Sequence, residues 1–338
     1  MKQISFNRPL SILFTAVLLA LTLTACQTTG TTQSTTKPTV LLHAYDYQII
    51  DSKTEHPLSV NQLASQLIDY DVIFIGEFHG NHASHLLEIQ LISSLYQQRE
   101  EQVISLEMFN RNQQAILNRY LDSEIGEVYL IKKAPAWNNY TASYRPIVEH
   151  AKQNFIPVIA SNAAADIVRC IGREGKLYLS KLSEQESDLI AKSPFIDNDE
   201  YRQRYMDFLK EAKSLDQAGK ERSYLAQLTR DNTMAESIYQ AKVDNPSAQV
   251  IHLNGSFHSD AFLGTVAALK QRQPDLKIAV VSPISIENPS KPSYSAEDLK
   301  SGDYIYLIQS QPEQYQDAAY RSEIHQAMFK KSKAAKCK

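Results

Sequence analysis

Val72-Ile-Phe-Ile75, followed at once by Gly76-Glu77-Phe78-His79, decides the reading of this chain. Four consecutive apolar, mostly β-branched residues suit a strand buried on both faces, as in a parallel sheet covered by helices. Four more runs of this kind occur: Val103-Ile-Ser-Leu106, Ile156-Pro-Val-Ile159, Val250-Ile-His-Leu253 and Ile278-Ala-Val-Val281. Helical patterns fill the gaps. Ser59 with Gln62 has capping-box spacing, and His85, Ile89, Ile92 and Tyr96 recur at three- and four-residue steps. Early and late strands near residues 40–50 and 304–308 extend the sheet. The expectation is an α/β fold with a mostly parallel central sheet flanked by helices, and with a helical cap insertion over about 176–245, where no strand pattern occurs.

In such sheets ligands sit beyond the carboxyl ends of the strands. Glu77 and His79 follow the first run, and Glu107 follows Leu106. Ser161 and Asn162 lie just past Ile159, and Asn254, Ser256 and His258 come after Leu253. Asn81 and Asn162 read as helix caps. Glu77, His79, Glu107 and His258 carry the chemistry of acids, bases and electrostatic partners, or of O and N ligands to a divalent metal. The alternative is a buried Glu–His network that only ties strand ends together. His82 and His85, one turn further on, suit a surface as well as a site. His150 reads as solvated and His252 as a paired core histidine. No phosphate loop, Gly-x-Ser-x-Gly, His-Glu-x-x-His or Cys-x-x-Cys occurs.

The 338 residues are 43% hydrophobic and 22% charged, which excludes global disorder, and the net charge of −3 argues against a nucleic-acid binder acting through bulk charge. Residues 1–25 read as a lipoprotein signal peptide. Lys2 and Arg8 precede the uncharged run Pro9–Ala25, which ends Leu23-Thr-Ala-Cys26, like a bacterial lipobox. Cys26 is then the lipidated residue, carrying palmitate or a similar acyl chain into the bilayer. The Thr-rich stretch to residue 40 is a flexible tether. Gln27 after the cysteine favours the outer membrane, with the periplasmic and surface faces both open. The folded domain is expected over 41–310 and a basic helical tail over 311–338. In an oxidising compartment Cys170 and Cys337 either pair or leave Cys170 a buried free thiol.

Several words of the sequence resemble the ChaN-like haem-binding lipoprotein family, related to the Tiki and erythromycin esterase-like proteins. They are Ile75-Gly-Glu-Phe-His79, Ser105-Leu-Glu-Met-Phe109 with Gln113, Trp137 to Tyr140, Tyr144-Arg-Pro146, Pro157 to Asn162, Arg230-Asp231 with Met234-Ala235, and Asn254-Gly-Ser-Phe-His258. The resemblance implies haem binding through an iron-bound tyrosine, with cofacial haems enclosed in a haem-linked homodimer, and a role in haem or iron acquisition. An outer-membrane haem receptor is then a further partner. Glu77, His79, Glu107, Asn254 and His258 become candidate haem-pocket residues. Of the 18 tyrosines, Tyr144 and Tyr140 come first as iron ligand because they lie in a matching word; Tyr201 and Tyr205, in the expected cap, come second. The competing function is a metal-assisted or Glu/His-dependent hydrolase with Glu77, His79, Glu107 and His258 catalytic. Whether the protein is an enzyme is left open, with a carrier favoured.

Overall fold

The computed structural model describes residues 39–134, 137–192, 194–211, 215–334 and 336–337. Cys26, the signal peptide and most of the tether lie outside them. Eight strands form one sheet: β1 Tyr47–Asp51, β2 Pro57–Leu58, β3 Val72–Glu77, β4 Gln102–Asn110, β5 Val158–Asn162, β6 Gln249–Gly255, β7 Ile278–Ile286 and β8 Tyr304–Gln309. Their spatial order is β2-β1-β8-β7-β3-β6-β4-β5. All neighbours from β8 to β5 are parallel, while β1 pairs antiparallel with β8 and β2. Four of the five apolar runs read from the sequence lie in the inner strands β3, β4, β6 and β7, while Ile156-Pro-Val-Ile159 leads into β5 at the sheet edge; β3 and β6 are buried at every residue.

Alternation along the strands divides the core between two faces. Ile73, Ile75, Ile104, Leu106, Ile251 and Leu253 meet the helices Val60–Leu67, His82–Tyr96, Gln114–Leu121 and Arg145–Gln153. Val72, Phe74, Val103, Val250 and Val280 meet the helices Gln217–Asp244 and Gly264–Arg272. Ser59 and Gln62 form the capping box of the first helix, and Asn81 caps the second. Asn162 does not cap. The next helix starts after Ala164, and the Asn162 side chain instead donates to the Glu107 carbonyl at 3.0 Å, a bond inside the sheet that outcompetes a cap it is too far upstream to make.

Residues 176–245 hold the helices Lys176–Leu179, Glu184–Ser187, Asp199–Phe208 and Gln217–Asp244. The last of these has two jobs along its length. Tyr224 and Leu228 pack with Tyr201 and Leu263, whereas Ala235, Ile238 and Ala241 lie on the sheet. Small residues in that second half let the helix approach the strands. Cys170, on the helix Ala165–Glu174, is disulfide-bonded to Cys337. The tail contains the helix Ala318–Ala334. No helix among the described residues is long and apolar enough to cross a membrane.

Candidate functional site

Strand β6 lies between β3 and β4, so the carboxyl ends of these three strands face one region. Two groups of polar side chains meet there. Glu77, the last residue of β3, is 1% exposed. Its Oε1 accepts from Tyr144 Oη at 2.5 Å and pairs with His79 Nδ1. His85 Nδ1 lies 3.3 Å from the other oxygen and 3.0 Å from Glu88 Oε2. His85 and Glu88 are one turn apart on the helix that Asn81 caps, so one helical face delivers both.

The second group centres on His258, which lies between two buried carboxylates. Its Nδ1 is 2.7 Å from Asp231 Oδ1 and its Nε2 is 3.5 Å from Glu107 Oε1. The Gly255 N–H donates to Glu107 Oε2 at 2.7 Å, while Tyr201 Oη and Thr265 Oγ1 donate to Asp231, each at 2.8 Å. His79 joins the two groups. A Cβ on Gly255 would come within 2.5 Å of His79 Nε2, so the ring lies directly on that glycine. Its side chain is 41% exposed and packs edge-on against Trp137 at 4.4 Å. Asn254 turns away from this cluster: its amide donates to Ser259 Oγ at 3.0 Å and to the Gly255 carbonyl at 2.8 Å.

Electrostatics follow from the pairing. Burial works against the His258 imidazolium, but Glu107 and Asp231 outweigh it and raise its pKa to about 10. Burial likewise opposes the Glu107 carboxylate, and His258, His79 and the Gly255 N–H overcome it, holding the group at about 2. For Glu77, burial is opposed by His79, Glu88 and His85, and the carboxyl ends below its ordinary range. Glu88 goes the other way: burial and the negative Glu77 raise it well above that range. His252, fully buried against Ser105 Oγ at 2.9 Å, is pushed down to about 3 by burial and is neutral, the paired core histidine the sequence suggested.

One set of described residues has the spacing for a metal ion: ligand atoms of Glu77, His85 and Glu88 lie within 4.8 Å of one another. The Gly80 N–H donates to His85 Nε2 at 3.1 Å, so Nδ1 is the ring atom that faces both carboxylates.

The four candidate tyrosines differ in access. Tyr140, Tyr144 and Tyr201 are buried; Tyr205 is partly exposed. Burial first, then Glu77, raises the Tyr144 pKa, and burial then Asp231 raises that of Tyr201, so both phenols stay protonated. Tyr140 Oη is buried with no hydrogen-bond partner. Tyr205 instead bonds Ser223 Oγ at 2.8 Å and packs with Phe208 and Phe257, whose centroids lie 6.2 and 6.0 Å away. Phe208 is 69% exposed, which makes this an open aromatic face, and Arg204 sits 5.0 Å over the Phe257 ring.

Sequence reading gave Asp231 only as part of a resembling word and missed Glu88, Thr265 and Gln227, whose amide nitrogen donates to Tyr201 Oη at 3.1 Å and lies 3.3 Å from His258 Nδ1. The signals were present but weak. His85-x-x-Glu88 is a same-face pair, and Gln227 and Asp231 are four apart on one helix; neither pair is distinguishable in sequence from ordinary surface spacing.

A strand-end Glu/His cluster on a mostly parallel sheet, with a helical cap bearing an aromatic face, defines the class. The family description "Haem-binding uptake, Tiki superfamily, ChaN" matches residues 63–269, and the chain belongs to that family. Among solved structures, ChaN of Campylobacter jejuni, described with cofacial haem binding, is 18% identical, covers 78% of this chain and 98% of its own, and superposes with a TM-score of 0.58. That likeness is one of fold. An erythromycin esterase mutant in its open conformation is 11% identical over 83% of this chain and 87% of its own, with a TM-score of 0.44. A Bacillus cereus protein is 12% identical over 75% and 92%, with a TM-score of 0.43. No curated protein sequence matches the chain.

Proposed function

We propose that this chain is a lipid-anchored haem-binding protein of haem or iron acquisition, in which haem lies on the aromatic face of Tyr205, Phe208 and Phe257 and Tyr205 is the iron ligand. The carrying observation is that face. In a chain of this family it puts a partly exposed phenol between the exposed ring of Phe208 and the partly buried ring of Phe257. A porphyrin is flat and apolar with an anionic edge, so stacked rings and the nearby Arg204 match it chemically.

Tyr205 displaces Tyr144 and Tyr140 as first choice for a physical reason. A phenol must lose its proton to bind Fe(III). Tyr144 and Tyr201 donate to buried carboxylates, which would be left facing a second negative charge; Tyr205 is also raised, by burial first and by Asp231, but its hydrogen-bond partner is a neutral serine and the positive Arg230 opposes the rise. Phe208 left wet on a single copy costs about 25 cal/mol per Å² of apolar surface. A second haem-bearing copy covers it, so haem favours a homodimer. Acylation of Cys26 anchors the chain in the outer membrane, where a haem receptor is the expected partner.

Hemin titrated into the detergent-solubilised full chain should give a saturable, tyrosinate-type high-spin spectrum and raise the sedimenting mass toward a dimer. Tyr205→Phe should weaken binding and remove the tyrosinate bands, and Tyr144→Phe should keep them. The reverse pattern would move the ligand to Tyr144, and absence of saturable binding would end the reading. For the anchor, Cys26→Ser should abolish incorporation of labelled palmitate; a variant that still carries the label disproves the lipidation site.

One observation favours the second reading, hydrolysis. His79 is accessible and held by a buried carboxylate, the arrangement of a general base. Ester or peptide cleavage that survives haem removal and is lost in His79→Ala would support it.

A further inference from the structure

A cavity of about 800 Å³ opens in the cap, and Tyr224 in its wall packs against Tyr205, 5.6 Å between ring centroids. It shares no lining residue with the aromatic face of Tyr205, Phe208 and Phe257. Its apolar wall includes Leu179, Phe195, Leu225 and Leu228. Its size lies within the range of small-molecule sites.

The charges around it are unbalanced. Asp197 and Glu221 both line it, but Arg202 bridges them, at 2.7 and 2.6 Å, and lies 4.5 Å over the Tyr224 ring; Tyr224 Oη also donates to Asp197. The two acids are therefore consumed. Lys176 and Arg222 have no ion pair among the described residues, and Arg222 Nε is buried without an acceptor. A buried N–H donor without a partner costs about 1–3 kcal/mol, so the Arg222 guanidinium, on a side chain that lines the cavity, is short of an acceptor. Gly175 holds this arrangement open. It has φ +69°, and a Cβ there would meet Arg222 Cγ at 3.3 Å, so glycine leaves room for the arginine stem against the cavity wall.

We propose that this cavity binds a single-chain amphiphile with an anionic head, a fatty acid, its chain among Leu179, Phe195, Leu225 and Leu228 and its carboxylate on Arg222 and Lys176. The proposal stands apart from haem binding and depends on none of its residues. Charge complementarity selects the head: Lys176 and Arg222 lack protein anions among the described residues, whereas Arg202 is paired. The apolar wall selects the tail.

The test uses the full, disulfide-intact chain, haem-free, with dansyl-undecanoic acid as fluorescent probe. Saturable binding is expected, displaced by dodecanoate but not by dodecyltrimethylammonium. Dodecyl phosphate serves as the second anionic head: weaker displacement than dodecanoate supports the carboxylate, and stronger displacement overturns it in favour of a phosphate headgroup. Arg222→Gln should weaken the probe about tenfold, the scale of a lost charge-assisted hydrogen bond, and Arg222→Lys should recover most of that. Unchanged affinity in Arg222→Gln, with an unaltered thermal melt, overturns the proposal. So does equal displacement by the cationic amphiphile, or one-for-one displacement by hemin.

Discussion

Replacing His258 by Gln removes the one imidazolium between two buried carboxylates, and the cost should depend on pH in a way the geometry dictates. His258 has its pKa raised from an ordinary 6.5 to about 10 by Glu107 and Asp231, against the opposing effect of burial. A group raised on folding contributes its full stability below 6.5 and loses it as pH rises through 10. At about 1.4 kcal/mol per pH unit, that contribution is about 5 kcal/mol. Glu107, depressed from 4.5 to about 2 chiefly by His258 against burial, contributes above 4.5 and loses it as pH falls toward 2. The two share one interaction, which is counted once. Stability from this pair is therefore greatest between about pH 4.5 and 6.5. In His258→Gln, Glu107 and Asp231 are buried without their cation, and breaking such a pair costs about 3–5 kcal/mol. Urea denaturation of both proteins, with the disulfide intact, should give that difference near pH 6. The difference should then shrink steadily from pH 6.5 toward 10, because the unfolded native chain gives up the His258 proton that the folded one still holds, a loss the variant does not share. A difference that stays constant from pH 6 to 10 would refute a charged His258.

Gly255→Ala should displace His79, because the added methyl would sit 2.5 Å from its Nε2. A loss of about 1–3 kcal/mol in denaturant unfolding is expected, with the His79 imidazole resonances shifted in NMR; unchanged resonances would contradict the packing. Cys170→Ser opens a loop of sequence separation 167, so chain entropy sets an upper bound of about 5 kcal/mol on the loss. Thermal melting should fall in the variant and, equally, in the reduced native protein; a fall in the variant alone would show that the serine, not the missing bond, is responsible.

The sequence by itself determined the sheet and the edge where the chemistry sits. Runs such as Val72 to Ile75 and Val250 to Leu253 are apolar at nearly every position, which only strands covered on both faces require, and the residue after each run is fixed by chain continuity. Thus Glu77 was legible as a strand-end group, and Ser59 and Asn81 as caps, because strand patterns and caps are local; Glu107 lies inside β4, which runs on to Asn110, and His258 in the turn three residues past β6. What tertiary structure decided was pairing. Asp231 reaches His258 from a distant helix, Tyr144 reaches Glu77 across 67 residues, and Cys337 reaches Cys170 across 167. Each such contact depends on how layers stack, and no spacing in the chain encodes it. Packing also decided which of the four tyrosines has access to solvent. Tyr144 and Tyr205 have the same chemistry in sequence, but helix packing buried one against a carboxylate and left the other on an open aromatic face.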